Sequence, residues 1–384
     1  MRMSFNRFQT ILKGDVLIKM KKNVGMLSLL LLVAMIFISA FAAPSDAANK
    51  PEHKWKLGIP WSRPAVNENL ELFCKLVGEY TDGRIEVKYY PDGQLGTHDE
   101  MFHAVRRGDV TMGLFSAYVN LIPGGMINWM PWSTENWDAA KILYKHGEGI
   151  IWKATEVAYN EVGCHQLFNV MYGSYGVGSK IRPIRTPKDF DGLRFRVSAS
   201  LASVMVFENI TKNAGVNMTF ETIPWADLYN ALSKGVVDTI WSMWPSLIDE
   251  RHGEVISYYS DLNWTWDCNN MVINKKIWDE LPQDLKDAVH KAAMIAEEKQ
   301  FEKQKSIEND YIEKVRNIPG FTLVHLTPEE RAEFRKMSDM PKIWDELAKP
   351  WLEKAFPGEN MQEKMLEEID RVHREVEEAR SKKQ

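Results

Sequence analysis

The sequence predicts an α/β protein in which short strands and helices alternate around mostly parallel sheets. Within residues 55–113 the apolar positions change repeatedly between a period of two, typical of strands, and helical spacing. Residues 189–244 repeat this order, with a strand over 193–197, a helix, a strand near 217–220, another helix and a third strand. Alternating units of this kind form parallel sheets that carry helices on their faces. A chain of 384 residues is long enough for two lobes, each with its own core.

The first 48 residues have the pattern of a secretory signal peptide. Basic residues at 19–22 precede an apolar run over 26–43, and a region of small residues follows the run. Cleavage is expected after Ala47 or Ala48, with Ala42 as the second choice. We therefore predict an exported, periplasmic protein.

Two alternatives concern this leader. Its apolar run is close to the length that spans a bilayer, so an uncleaved anchor is one of them. The basic residues lie well inside the chain, so the natural start can be Met20 instead of Met1.

Cleavage removes six basic and two acidic residues, so a formal net charge of −5 becomes −9. A protein with this net negative charge has no basic surface with which to bind nucleic acid.

The first predicted lobe opens with strand and helix patterns in alternation. A strand over 55–59 leads into a Pro-Trp-Ser-Arg-Pro loop that contains Trp61, and a helix follows over 66–80. A strand over 84–90, a helix over 98–107 and a further strand continue the pattern. Ser116 follows the end of that strand and is expected to face a cleft.

The middle of the chain is predicted to contain one helix and the first crossing between lobes. The helix is expected over 138–160, and it leads to a strand near 166–170. The glycine-rich segment 172–178 fits neither a dinucleotide-binding glycine motif nor a P-loop. We interpret it as a hinge that lines the cleft.

The last third is predicted to be a strand followed by helices. Residues 263–273 alternate as a strand, and 283–315 form a long charged helix. The final helix, 358–384, carries a narrow apolar stripe. A helix that rests on a lobe is preferred to a coiled coil or dimer contact. We accordingly favour a monomer, with a dimer as the alternative.

Three cysteines, Cys74, Cys164 and Cys268, are odd in number and far apart. Exported proteins often pair their cysteines, but at most one disulfide can form here. We expect three buried thiols, and no Cys-x-x-Cys motif points to a metal or redox site.

Two motifs resemble those of the TRAP-transporter solute-binding proteins of the DctP type. One is Gly-Leu-Arg-Phe-Arg-Val at 192–197, followed by Trp-Ala-Asp-Leu-Tyr-Asn-Ala-Leu-Ser-Lys-Gly-Val-Val-Asp at 225–238. The other is the turn Pro-Asp-Gly-Gln-Leu-Gly at 91–96, about a hundred residues earlier. The resemblance implies a two-lobed periplasmic binding protein fold with hinge strands and one long helix that braces both lobes.

The predicted division follows from that resemblance. Lobe I comprises residues 49–173 plus about 290–330, and lobe II comprises 174–289 plus about 331–384. Both lobes would close over a ligand by hinge motion.

The residue on which the predicted function depends is Arg196. It lies near the end of a predicted strand, where open α/β sheets present residues to a ligand crevice. Its planar guanidinium matches a carboxylate, although pairing with a structural acid is an equal alternative from the local pattern alone. The resemblance implies that Arg196 clamps the carboxylate of the substrate.

Two departures from the family pattern bear on the substrate. Some members carry a second arginine where this chain has Ser174 and Tyr175, and Lys180 and Arg182 come too late to replace it. Trp241 stands where an acidic residue is common. Both changes favour a hydrophobic or aromatic monocarboxylate, such as a 2-oxo acid or an amino acid, over an aliphatic dicarboxylate or sugar acid.

The remaining site residues are predicted on this basis. Trp241, Trp244, Trp61 and Tyr175 are expected to form the wall of the pocket, although a core role is an equal alternative for Trp241 and Trp244. Asp267 is expected to accept a hydrogen bond from an amino or hydroxyl group of the ligand.

The predicted partners are a small organic acid and the small and large membrane subunits of a TRAP transporter. No cofactor or metal is expected. An exported hydrolase is a remote rival, because the chain lacks His-Glu-x-x-His and Gly-x-Ser-x-Gly motifs. A component that presents ligand to a sensor is the other rival.

Overall fold

The structure is a computed structural model that describes residues 50–117, 121–198 and 200–382. The predicted signal peptide, with its cleavage and start positions, lies outside the described residues. No helix within the described ranges has the length and apolarity needed to cross a bilayer.

One sheet contains all the strands in the described part of the chain, in the order β2-β1-β3-β8-β4-β7-β5-β6, with β9 added beside β8. The pairs β1–β2, β1–β3, β5–β6, β5–β7 and β8–β9 are parallel, whereas β3–β8, β4–β7 and β4–β8 are antiparallel. The prediction of an α/β fold with mostly parallel pairing is therefore confirmed. The strands are β1 His53–Gly58, β2 Ile85–Tyr90, β3 Met112–Phe115, β4 Cys164–Ser179, β5 Arg194–Val197, β6 Thr219–Thr222, β7 Thr239–Ser242, β8 Tyr258–Asn274 and β9 Thr322–Val324.

Helices flank the sheet and follow most of its strands. They are α1 Pro64–Tyr80, α2 His98–Arg107, α3 Trp137–Leu143, α4 Ile150–Glu161, α5 Leu201–Ala214, α6 Leu228–Ser233, α7 Trp244–Ile248, α8 Lys275–Asp279, α9 Gln283–Arg316, α10 Pro328–Met337, α11 Met340–Ile343, α12 Lys349–Ala355 and α13 Met361–Ser381.

The single helix predicted over 138–160 was wrong, because the chain turns between α3 and α4. Gly147 adopts a φ of +70°, a left-handed conformation that glycine accepts at little cost and that interrupts a right-handed helix. The turn also brings the backbone of Gly149 against that of Leu143.

Two long antiparallel strands connect the opposite ends of the sheet. β4 and β8 pair along nearly their whole length, with three register shifts. β3 pairs with residues 270–273 of β8, whereas β7 pairs with residues 176–179 of β4 at the far end. The predicted crossing at 172–178 therefore lies within β4. The exact lobe boundaries remain a prediction.

The long helix α9 packs across the same region. It contacts α1, which belongs to the β1–β3 end, then β4, and then α7 at the other end. Its buried face carries Leu285, Val289, Ala292 and Ala296, the apolar positions that the sequence indicated. This packing agrees with the expectation of a helix that braces both ends of the sheet.

The apolar core consists of two clusters among the described residues. The larger cluster extends from β1 to α13 and includes Trp241 and Tyr175. The smaller cluster lies among α6, α7 and α9 and includes Trp244. Cys164 and Cys268 are buried, but Cys74 is only half-buried on α1, so the expectation of three buried thiols was wrong for Cys74.

The last helix rests on the chain itself. α13 contacts α3, α4 and α12, and Arg380 near its end pairs with Asp138 on α3 at 3.1 Å. Its apolar stripe is buried in this position and comprises Met361, Met365, Ile369, Val372 and Val376.

Candidate functional site

Arg196 lies buried near the carboxyl end of β5. Phe195 and Val197 are also buried, Arg194 at the start of the strand is exposed, and Arg196 is only 1% exposed. Its Nε donates a hydrogen bond of 2.8 Å to the carbonyl of Ile223, which follows β6. The parallel strands on both sides thus hold the guanidinium at the edge where β5, β6 and β7 end.

The guanidinium contacts an aromatic cluster, which we define as Trp129, Tyr175, Trp225 and Trp241, through the rings of Trp225 and Trp241. The Arg196 Cζ lies 4.6 Å from the ring centroid of Trp241 and 5.3 Å from that of Trp225. The Trp225 and Trp241 rings stack at 5.4 Å, and Tyr175 meets Trp241 edge-on at 4.7 Å. Trp129 lies 5.3 Å from Tyr175. Aromatic faces attract a guanidinium, so the cluster stabilises the buried charge.

Asp267 adjoins the cluster through Tyr175. The carboxyl group is on β8, is 3% exposed, and accepts a hydrogen bond of 3.0 Å from the Tyr175 hydroxyl at Oδ2. Within the described chain Oδ1 has no hydrogen-bond partner. Burial raises the pKa of Asp267 to about 7, and the charge of Arg63 and the Tyr175 hydrogen bond oppose that rise.

A second buried arginine, Arg63, lies close enough to Asp267 for its charge to act on that carboxyl group. It precedes α1 and forms an ion pair with Glu250, to which Nη2 and Nε donate at 2.7 and 2.9 Å. Nη2 also lies 3.3 Å from Ser246 Oγ, and the guanidinium covers the ring of Tyr172 at 4.6 Å. Because the partners are 187 positions apart, the pair ties the loop after β1 to the segment after α7.

Glu250 joins this ion pair to the aromatic cluster. Its Oε2 accepts a hydrogen bond of 2.5 Å from Trp225 Nε1, while Arg63 occupies Oε1. Burial acts to raise the pKa of Glu250, but the attraction of Arg63, the nearby His252 and the hydrogen bonds from Arg63 and Trp225 together outweigh burial and hold the pKa below its ordinary value. Glu250 is therefore ionised at neutral pH and holds the Trp225 ring beside Arg196.

His252 completes this side of the site. Its ring meets Trp225 edge-on at 5.2 Å, and Nδ1 lies 3.1 Å from Ser242 Oγ. Burial lowers the pKa of His252 to about 4, so the imidazole is neutral at pH 7.

The structure brings some of the predicted site residues together and places others apart. Arg196, Trp241, Tyr175 and Asp267 form one continuous set of contacts. Trp61 is half-buried, and its Nε1 donates a hydrogen bond of 3.3 Å to the hydroxyl of Tyr172, beneath the guanidinium of Arg63.

Ser116 and Trp244 lie outside that set. Ser116 is buried, and its Oγ donates to Asn269 Oδ1, two residues beyond Asp267 on β8. Trp244 is not brought to the aromatic cluster, because it begins α7 and packs against Tyr259 at 4.6 Å in the smaller apolar core.

Sequence reasoning missed Arg63, Glu250 and Trp225 as site residues. Trp225 stands within one of the quoted motifs, so its position was available as a signal. Arg63 lies in the Pro-Trp-Ser-Arg-Pro loop, but no local pattern distinguishes it from a surface arginine, and the same holds for Glu250.

Lys180 and Arg182 donate hydrogen bonds to backbone carbonyl groups. Lys180 Nζ donates to the carbonyl of Leu232 at 2.7 Å, and Arg182 Nε donates to that of Asp189 at 2.9 Å. That neither residue replaces a second ligand-binding arginine stays a prediction.

The arrangement suits the binding of a small acid. It combines permanent positive charge, aromatic faces and one buried carboxyl with an open hydrogen-bonding position. Across the described ranges, no group of three or more histidine, cysteine, aspartate or glutamate side chains is placed to hold a metal ion.

Comparison with known proteins identifies the relatives of this chain. Residues 61–349 match the family model of the bacterial extracellular solute-binding proteins, family 7, known as DctP. The C4-dicarboxylate-binding periplasmic protein DctP of Rhodobacter capsulatus is 25% identical over 284 residues, which cover 72% of this chain and 80% of that protein.

Solved structures show the same fold. A TRAP periplasmic solute-binding protein from Desulfovibrio salexigens with bound orotic acid aligns with a TM-score of 0.72 at 23% identity, covering 83% of this chain and 99% of that one. One from Ralstonia eutropha with bound (S)-2-acetolactate aligns with a TM-score of 0.71 at 22% identity and the same coverage.

Proposed function

The chain belongs to family 7 of the bacterial extracellular solute-binding proteins, the TRAP-type DctP family, and on this premise we propose that Arg196 captures the carboxylate of its ligand. Proteins of this family and fold bind small organic acids for transport and are not enzymes. The recognition from sequence is thereby confirmed, and so is the prediction of an extracytoplasmic binding protein. The ligand, the site residues and the membrane partners are the finer part of the proposal.

The observation that carries the proposal is the placement of Arg196. A fully buried guanidinium lies at the strand ends of an α/β sheet, where ligands bind in such folds. Its planar fork can hold a carboxylate with two parallel hydrogen bonds. The faces of Trp225 and Trp241 hold the group in place, so little side-chain entropy is lost on binding.

The aromatic cluster favours a ligand with a hydrophobic or aromatic body and one carboxylate. The faces of Trp225 and Trp241 lie against the guanidinium, and Tyr175 and Trp129 extend the aromatic cluster beyond them, so apolar rings border the charge. The two solved structures named above hold orotic acid and 2-acetolactate, both small organic acids. A 2-oxo acid or an amino acid with such a body fits this chemistry.

A dicarboxylate or sugar acid is the alternative. The Rhodobacter relative is named as a C4-dicarboxylate-binding protein, which supports the dicarboxylate. A second ligand carboxylate would need a second cation. Arg63 is the nearby candidate, but Glu250 already occupies it through two hydrogen bonds. This ion pair favours the monocarboxylate.

The delivery route belongs to the same proposal. Residues 1–48 would direct export and be removed near Ala47 or Ala48. The two lobes would close on the ligand, and the closed form would pass it to the small and large membrane subunits of a TRAP transporter.

The test is calorimetric titration of the exported protein with aromatic and aliphatic mono- and dicarboxylates, chosen first by thermal shift. A ligand that binds only the folded state raises the melting temperature by mass action. Replacing Arg196 by alanine is expected to weaken carboxylate binding by about 2–5 kcal/mol, because the ligand charge is then buried without a partner. Arg371→Ala, which removes an exposed arginine, is the control. Unchanged affinity in Arg196→Ala would refute the clamp.

The same titration experiment tests the aromatic wall through the variant Trp241→Ala. Trp241→Ala is expected to weaken binding of phenyl-substituted acids much more than that of pyruvate, because only the larger body contacts the ring. Equal losses for both acids would show that Trp241 acts only as a packing residue.

A further inference from the structure

The strand register leaves a gap in the middle of the sheet, between its two ends. β3 ends opposite Asn270 of β8, which in turn pairs with Asn169 of β4, and β7 ends opposite Gly176 of β4. The gap is therefore formed by residues 170–175 of β4 and 265–269 of β8. Both β3 and β7 run towards it, so their carboxyl ends face each other across the gap. Ligands of open α/β sheets bind at such carboxyl ends.

One buried side chain crosses the gap from the β1–β3 end to the β7 end. Arg63 follows β1, which is parallel to β3. Its guanidinium covers the ring of Tyr172, a residue of the gap, at 4.6 Å. Beyond that ring it reaches three side chains that follow β7: Met243 Sδ at 3.7 Å, Ser246 Oγ at 3.3 Å and Glu250 Oε1 at 2.7 Å. Arg63 thus connects the two ends of the sheet across the gap.

The carboxylate of Glu250 connects this crossing to Arg196. Its Oε1 accepts hydrogen bonds from Arg63, and its Oε2 accepts one of 2.5 Å from Trp225 Nε1. The Trp225 ring lies 5.3 Å from the Arg196 Cζ. The placement of Trp225 against Arg196 and the attachment of the loop after β1 therefore depend on the same carboxylate.

We propose that Arg63 and Glu250 form a clasp across the gap, which couples ligand binding at Arg196 to the approach of the two ends of the sheet. This proposal rests on the proposed function, since it presumes that the ligand binds at Arg196. A ligand that fixes Trp225 against Arg196 also holds Glu250 where it accepts Arg63. Coupling of this kind is reciprocal, so the closed clasp in turn raises the affinity for the ligand.

An ion pair is suited to this task because it can separate without exposing apolar surface. The cost of removing its charges from water offsets much of their mutual attraction. The Arg63–Glu250 pair can therefore form as the two ends approach and break as they separate. Both members act as positioning residues, because their effect on the ligand passes through Trp225 and through the closed form.

The first test measures the separation of the two ends without any ligand. Spin labels on cysteines that replace Glu86 and Glu221, exposed residues of the edge strands β2 and β6, report it by pulsed electron paramagnetic resonance. The half-buried Cys74 is replaced by alanine so that it is not labelled. Glu250→Gln, which keeps the volume of the side chain, and Arg63→Met are each expected to shift the distances to longer values.

Arg331→Met is the matched control for this measurement. Arg331 pairs with Asp261 at 2.9 Å, and both partners are partly or largely buried, but the pair joins β8 to α10 and does not involve the loop after β1. Its loss is expected to leave the distances unchanged. Identical distances in the wild type, Glu250→Gln and Arg63→Met would overturn the proposal, because the pair would then not hold the two ends together.

The second test measures affinity for phenylpyruvate by calorimetric titration. Glu250→Gln and Arg63→Met are each expected to weaken binding at least about fivefold, the lower end of coupling between sites. In the Glu250→Gln background, Arg63→Met is expected to add nothing further, since the clasp is already broken. A further loss there would show that Arg63 acts on the ligand directly, and unchanged affinity in both single variants would show no coupling. Either result overturns the proposal.

The two tests separate the clasp from the proposed function. If Arg196→Ala leaves the affinity unchanged, the carboxylate clamp fails, whereas the distances in the ligand-free protein still decide whether the clasp exists. If Arg196→Ala weakens binding and the clasp variants do not, the clasp fails and the role of Arg196 stands.

Discussion

The ion pair between Arg63 and Glu250 makes a prediction about stability that does not depend on the ligand. The side chains are 7% and 19% exposed, and their nearest atoms are 2.7 Å apart. Replacing Arg63 by methionine keeps much of the apolar stem but leaves Glu250 with only the Trp225 hydrogen bond. Removing one partner of a buried pair costs about 3–5 kcal/mol, and we expect the lower end because Glu250 retains some solvent.

The loss can be measured by urea unfolding of the wild type and Arg63→Met. A loss of about 3 kcal/mol corresponds to a fall of about 4 °C in melting temperature for a chain of this length. Arg371→Met is the control, because Arg371 pairs with Glu368 and Glu375 on the exposed face of α13. Exposed pairs of this kind contribute about 0–1 kcal/mol.

The double variant Arg63→Met/Glu250→Gln tests the physical reason. Each single change leaves one buried charge without its partner. If this unpaired charge is the source of the cost, the free energy of unfolding of the double variant is expected to fall by about 2–3 kcal/mol less than the sum of the two single losses. Additive losses would refute the reasoning, and so would a loss in Arg63→Met no larger than that in Arg371→Met.

Two further predictions concern pH and packing. Burial lowers the pKa of His252, His146 and His165 to about 4 from an ordinary value near 6.5, so between these values the unfolded chain binds protons that the folded protein excludes. The free energy of unfolding is therefore expected to fall as pH decreases from 6.5 towards 4, by up to about 3 kcal/mol for His252. Urea unfolding at several pH values in this range is expected to show that the free energy of unfolding depends less steeply on pH in His252→Gln than in the wild type. Gly78→Ala in the interior of α1 is expected to stabilise by about 0.5–1 kcal/mol, because its new methyl group meets nothing closer than 3.9 Å. Gly149→Ala is expected to destabilise, because the methyl group would lie 2.3 Å from the carbonyl oxygen of Leu143, and thermal unfolding of both variants checks the pair.

The fold could be predicted from the sequence where strand and helix patterns alternate locally. The strand around Arg196 and the long helix α9 begin and end within a few residues of their predicted limits. The break between α3 and α4 was missed because the apolar spacing was followed across Gly147 and Gly149, although both glycines signal the end of a helix in the sequence.

The tryptophans show how far the sequence could predict the site. Trp241 and Trp244 are three positions apart and carried the same expectation. Trp241 lies on β7 and contacts Arg196, whereas Trp244 lies one element later, on α7. The strand ends between them, at Ser242, so the two side chains enter different apolar clusters. A one-dimensional pattern does not resolve that change of direction.

The charge of the site is the part that only the fold determines. Arg196 could be singled out because its motif and its strand end are adjacent in the sequence, and its role in ligand binding stays a prediction. The groups that set the charge around it, Arg63, Glu250 and Asp267, come from the loop after β1, the segment after α7 and the middle of β8. Arg63 and Glu250 are ordinary surface residues by their local pattern, and burial together with proximity makes them an ion pair. Asp267 could be named from the sequence as a site residue, but the burial that raises its pKa could not. The family therefore follows from residues close together in sequence, whereas the charges around Arg196 come from residues that meet only after folding.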